Sequence, residues 1–259
     1  MKKRIVVTDL TRMRRGAVCI SGYDQEHHCI RPIAAYPGIL ENTILKGDQP
    51  MVYPFALVEM DLLEHRPEPP HTEDQYFIPG SFRFVQEVKD HKKVLAWSLF
   101  NSVHEIFEQT ILHKPGSHVK DGQGPRSVGT IHAKTIVGVH FDQGPEETWD
   151  YRLSFYDYSG TYYRIKITDL TFLYYLTSLR SENSQPKEIA DHLTKALKKK
   201  DVYLRIGLSR GWVKFPDLCF LQVNGIYTFP DLYAGKKFTD YRKISAHGIA
   251  ESNEEGYDA

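Results

Sequence analysis

Cysteine is scarce in this chain, and neither sign of charge is in excess. Only Cys19, Cys29 and Cys219 occur in 259 residues, an odd number with no CxxC pair. That argues against a disulfide framework or a zinc ribbon and toward an intracellular protein. Lys plus Arg and Asp plus Glu both number 33, so net charge makes no case for a polyanionic ligand. Any such site has to be a local cluster of cations. No segment approaches the ~20 apolar residues of a membrane helix, and residues 1–20 carry no apolar core of a signal peptide. The expectation is a soluble, cytoplasmic protein with no membrane contact.

Chemical signatures are missing too. There is no HExxH and no Gly-Lys-Ser/Thr opening a helix. His27, His28 and Cys29 are adjacent, but neighbours on a strand point to opposite faces and share no ion. Cys19 and Cys219 sit in apolar runs and read as small buried hydrophobes. Asp9 reads as a capping carboxylate rather than a general base. No catalytic residue, metal or cofactor is assigned, and a non-enzymatic protein is expected.

What is abundant is aromatic. Phe, Trp and Tyr make up 12% of the chain, with 16 tyrosines, and such residues favour half-buried pleated surfaces. Strands are expected at Arg4–Thr8, Gly16–Tyr23, Phe55–Leu63, Phe82–Val88, Lys134–His140, Tyr203–Leu208 and Leu218–Phe229. Residues Leu10 to Arg15 read as a compact basic connection. The three- and four-residue spacing of Val94, Leu95, Leu99, Val103, Ile106 and Phe107 predicts one amphipathic helix over 92–107. Residues 113–130, glycine-rich and poor in apolar side chains, read as a long loop. Helices are expected over 168–179, capped by Thr168 or Asp169, and over 186–200, with Pro186 in its first turn. From Asp231 onward the sequence is turn-rich. Thr-Asp-Leu-Thr occurs twice, at 8–11 and 168–171, and only the second copy opens a clear helix. The fold class is mainly β with α additions (α+β). The division is a barrel with a helix and a long loop over 1–130, and a second barrel with two helices over 131–259.

Residues 149–167 specify a hairpin. A three-residue loop, Tyr158-Ser159-Gly160, pairs Phe155 with Tyr163 and Leu153 with Ile165, and makes one face wholly apolar. A shift by one residue would scramble both faces. Gly160 falls where such a loop needs positive φ. The opposite face then carries Arg152, Ser154, Tyr156, Tyr162, Arg164 and Lys166.

Nucleic-acid sites need cations for phosphates and flat side chains for bases. Three clusters qualify: Arg12, Arg14, Arg15 and Arg31; the hairpin face; and Arg205, Arg210, Trp212 and Lys214. For each, the competing reading is a solvated face whose cations pair with nearby acids.

The opening stretch VTDLTRMRRGAVCISGYD…HCIRPI and the closing stretch LRIGLSRGW…CFLQVNGIYTFPDLYAGKKFTDY resemble the dual OB-fold domain proteins of prokaryotes. Asp9, Leu10, Thr11, Arg12, Cys19, Ile20, Arg31, Pro32, Gly207, Leu208, Arg210, Gln222, Val223, Gly225, Ile226, Tyr227, Phe229 and Pro230 carry the likeness. The resemblance implies two small OB-like barrels with capping helices and a link to microbial conflict and phage defence, and supplies no catalytic residues. An OB barrel reads oligonucleotides on one sheet face and in adjoining loops. The first functional reading is therefore a binder of single-stranded or structured nucleic acid. Arg12, Arg14, Arg31, Arg152, Arg164, Lys166 and Arg210 would meet phosphates; Tyr156, Tyr162 and Trp212 would stack on bases. The second is a sensor of a small nucleotide, cyclic or NAD-derived, in a pocket between the barrels gated by 113–130. The third is a protein-interaction or inhibitor module with a partner in a defence system.

Overall fold

The computed structural model describes residues 1–143, 149–180 and 184–245. Its first barrel is built from β1 (Lys2–Arg12), β2 (Ala17–Tyr23), β3 (Cys29–Ile33), β4 (Ala56–His65) and β5 (Asp74–Phe77). They hydrogen-bond in the order β1-β2-β3-β5-β4, and β4 pairs back onto β1 to close the barrel. β3 and β5 run parallel. β1 serves two neighbours: Lys2 to Val6 pair with β4, and Val6 to Arg12 pair with β2. Alternation fixes which side faces in: Ala56, Val58, Met60 and Leu62 of β4 are all buried. An edge strand, β6 (Arg83–Glu87), extends β4.

The second barrel repeats this plan. Its strands are β7 (Leu99–Phe100), β8 (His118–Lys120), β9 (Val128–His132), β10 (Thr135–Gln143), β11 (Trp149–Tyr156), β12 (Tyr162–Ile167), β13 (Asp201–Leu208) and β14 (Leu218–Phe229). The order is β10-β11-β12-β14-β13-β9-β7, with β8 on β14, and β12 and β14 are parallel. Only Ala133 and Lys134 separate β9 from β10. That bent segment therefore lines β13 with its first half and β11 with its second, as β1 does in the first barrel.

The hairpin register is as the side chains demand: Leu153 faces Ile165 and Phe155 faces Tyr163, with Gly160 at φ 82°. Helix α3 (Leu170–Ser178) starts at an Asp169 cap, whose side chain accepts from the Thr171 and Phe172 amides. Helix α4 (Pro186–Leu197) buries Ile189, Ala190, Leu193 and Leu197 and lies on β10, where the Thr194 hydroxyl accepts from the Val139 amide at 2.8 Å.

Several expectations are corrected. The helix expected over 92–107 is two: α1 (His91–Ala96), capped by Asp90, and α2 (Val103–Phe107), capped by Ser102. The Ser98 carbonyl accepts from the Thr130 amide, which draws Leu99 and Phe100 into parallel pairing with β9. Tertiary pairing overrides the helical period here. The expected loop 113–130 holds β8 and the start of β9, with His118 and Val119 buried. β1 runs through Arg12, so the first connection is only residues 13–16. After Asp231 a further helix forms, α5 (Phe238–Ser245), and packs on α3.

Between the barrels lies a polar seam. Arg205 of β13 is fully buried and wraps Asp9 of β1: Nε donates to both carboxylate oxygens at 3.1 and 3.0 Å, and Nη2 donates at 2.7 Å. Its Nη1 donates to Tyr23, Ser98 and Thr130 hydroxyls. Burial works against the Arg205 charge, and the Asp9 carboxylate more than offsets it, holding the guanidinium protonated. The two Thr-Asp-Leu-Thr copies meet here. Thr11 bridges Asp169, and the Arg12 amide donates to the Thr168 carbonyl at 2.9 Å. Burial pushes Asp169 up to about 7, against three backbone amides that favour its ionised form.

Candidate nucleic-acid interface

The hairpin face is charge-compensated. Arg152 Nε donates to Asp142 at 2.5 Å, and Arg164 bonds the other oxygen of the same carboxylate. Lys166 pairs with Asp150 at 2.8 Å. Both acids lie on β10 and β11, opposite each other in register. Ser154 is buried under this face, where it donates to the Gly138 carbonyl and bonds His140. Tyr156 and Tyr162 are 40% and 44% exposed, but lean on each other with ring centres 5.4 Å apart.

The other two clusters converge. The connection after β1, residues 13–16, and the connection between β13 and β14, residues 209–217, come from different barrels and touch: the Arg14 guanidinium lies 5.8 Å from the centre of the Trp212 ring. Arg14 and Arg15 sit in a single 3-10 turn, with Arg15 at φ 56° and Gly16 at φ 69°. Trp212 and Phe215 exchange backbone hydrogen bonds, and both rings pack with Phe220. One side of the indole is thus held, and 47% of the residue stays exposed. Gly211 is required: a Cβ there would lie 1.8 Å from the Pro216 carbonyl oxygen. Arg12 stacks over Tyr174 of α3 at 4.8 Å, and Lys214 lies 5.6 Å from the Phe215 ring centre. Among the described residues, Arg12, Arg14 and Lys214 make no ion pair with a carboxylate.

Arg31 and Arg210 do different work. Arg31 is buried and donates to Asp74 at 2.5 Å and to Ser127. This corrects its expected place among the phosphate-binding cations, since burial removes it from the surface. Arg210, half exposed, reaches the other oxygen of Asp74 and ties the 209–217 loop to the first barrel.

Residues 3–226 match the model of the dual OB-containing domain family.

The chain belongs to this family. The paired barrels expected from its two end motifs are those observed, and two of the motif arginines, Arg12 and Arg210, adjoin the loops that meet between the barrels. Among solved structures, the chain is similar to one titled as a replication protein A heterotrimer bound to ssDNA, at 11% identity and a TM-score of 0.35. The alignment covers 96% of this chain and 53% of that one, so this chain spans about half its length. No curated protein matches.

A second concavity, about 600 Å³, separates the barrels on another side. His27 stacks on Trp97 there at 4.5 Å, and Arg126 covers Phe100 at 5.1 Å. Neither pair was singled out in the sequence. They join residues 70 or more positions from the family's closing motif, and only the fold brings them to one cleft.

Proposed function

We propose that the chain is a non-enzymatic nucleic-acid-binding protein. Its binding surface is the composite of the 13–16 turn and the 209–217 loop. One observation carries this reading: the Arg14–Trp212 contact, where an arginine without an acidic partner among the described residues meets a half-exposed indole. OB barrels bind strands with the loops between strands 1 and 2 and between strands 4 and 5. Here one such loop comes from each barrel. Arg12, Arg14 and Lys214 supply the phosphate contacts, and Trp212 stacks on a base. With three phosphate contacts, log affinity for a single strand should fall with log salt at a slope near −2, about −0.7 per phosphate. Fluorescence anisotropy with labelled DNA and RNA oligonucleotides measures this. Absence of binding to both at low salt overturns the reading.

A small-nucleotide sensor is the second reading, favoured by the cleft of about 600 Å³ with its His27–Trp97 stack and Arg126 on the rim. A thermal-shift screen with cyclic and NAD-derived nucleotides separates the two, since Trp97→Ala would abolish a nucleotide shift and leave oligonucleotide binding intact. A role in a prokaryotic, cytoplasmic defence system fits either ligand. A pull-down complex that survives nuclease would favour a protein-interaction module instead.

A further inference from the structure

The chain places a histidine, an aspartate and a cysteine together at the base of the 209–217 loop. His71 comes from the connection between β4 and β5, Asp121 follows β8, and Cys219 lies in β14. One ligating atom from each lies within 4.8 Å of the other two. His71 is 2% exposed, and neither ring nitrogen has a hydrogen-bond partner. One ring nitrogen faces the Ser209 backbone carbonyl without a hydrogen bond of good geometry. A buried imidazole left in this way is costly unless something else satisfies it. Cys219 is fully buried, and its thiol donates to Asp121 at 3.3 Å.

We propose that His71, Asp121 and Cys219 bind a divalent zinc-type ion that pins the first barrel to the loop carrying Trp212. The donor set decides the class of ion. One sulfur, one imidazole nitrogen and one carboxylate oxygen suit Zn²⁺, which takes such ligands at about 2.0–2.3 Å, and a water completes the tetrahedron. Charge balances as well: thiolate and carboxylate neutralise the two positive charges. Arg31 and Arg210, the nearest cations, are already held by Asp74. The neutral imidazole is the ligating form. On binding, Cys219 gives its proton to solvent and its Sγ forms the metal bond.

The three segments are held in place before any ion arrives. The Asp121 amide donates to the Asp217 carbonyl at 2.9 Å, the Gly122 amide to Pro69 at 3.0 Å, and the His71 amide to Glu68. The ligands therefore need to close by only about 1 Å to reach tetrahedral distances. The site was not visible in the sequence because its members stand 50 and 98 residues apart. The sequence expectation that no metal is bound rested on the absence of HExxH and CxxC and on the adjacent His27, His28 and Cys29, none of which takes part.

Cobalt(II) titration of the chelator-treated full chain tests this. The expected result is one equivalent bound, with a thiolate-to-cobalt charge-transfer band and tetrahedral d–d absorption, both displaced by Zn²⁺. Cys219→Ser should abolish the charge-transfer band, His71→Ala should abolish tetrahedral absorption, and Cys29→Ser should change neither. No charge-transfer band in the folded parent chain overturns the proposal, whatever the variants do. A band that survives in folded Cys219→Ser or is lost in folded Cys29→Ser overturns it too. Oligonucleotide affinity has no part in this readout, so failure here leaves the nucleic-acid reading to its own test.

Discussion

Two surfaces of this protein carry nearly the same ingredients. The hairpin face has Arg152, Arg164 and Lys166 with Tyr156 and Tyr162. The loop surface has Arg12, Arg14 and Lys214 with Trp212 and the Arg12-covered Tyr174. On the first, every cation meets an acid, Asp142 or Asp150. On the second, the cations lie over aromatic rings with no carboxylate partner among the described residues. A phosphate arriving at the hairpin has to compete with a carboxylate; at the loops no carboxylate among the described residues holds Arg12, Arg14 or Lys214. Counting cations and aromatics on a face thus leaves out the acids that the neighbouring strands supply, and on the hairpin these pair with all three cations.

The largest effect should come from the seam that holds the two loops together. Arg205→Met leaves Asp9 buried without its partner, and unfolding free energy should fall by about 3–5 kcal/mol in a denaturant titration. Adding Asp9→Leu should recover much of this loss. A seam that tolerates the single change would mean that the loops are aligned by other contacts. Next comes Trp212→Ala, expected to weaken oligonucleotide binding by about 1–3 kcal/mol, roughly fivefold to a hundredfold, with little change in thermal midpoint. A smaller effect should sharpen the contrast from the other side. Asp142→Asn frees Arg152 and Arg164, so binding should strengthen severalfold at low salt and the salt slope should steepen by about 1.4. If Asp142→Asn leaves both unchanged, compensation by that carboxylate is not what silences the hairpin.

Much of the fold could be read from the residues. The hairpin register followed from period-two alternation and from one glycine at the third loop position, both local signals. So did the Asp169 cap and Pro186 at the start of α4. What escaped reading was non-local. Nothing between Trp149 and Ile167 reveals that Asp142, on the preceding strand, sits in reach of two of its arginines. Lys92 to Phe107 has helical spacing throughout, yet Ser98 bonds to Thr130 and Ser102 caps a second helix, which breaks the segment in two. Residues 118–120 contain one valine and two polar residues, too little pattern to show a strand that pairing with β14 creates. Arg205 looked like a surface cation of the closing motif, although it is the largest fully buried side chain. The repeated Thr-Asp-Leu-Thr was visible, but not that its two copies meet at the seam. Of the proposed site, Arg12, Arg14 and Trp212 were legible by type. Their convergence from 198 residues apart was not.

The central claim is that the loop surface, and not the hairpin, receives the nucleic acid. It is tested most directly by comparing two double variants, Arg14→Ala/Trp212→Ala and Arg152→Ala/Arg164→Ala, in one anisotropy titration with the same oligonucleotide at the same salt. The loop pair should lose at least tenfold in affinity, while the hairpin pair stays within about twofold of the parent. The reverse order, with the hairpin pair losing binding and the loop pair keeping it, would contradict the account.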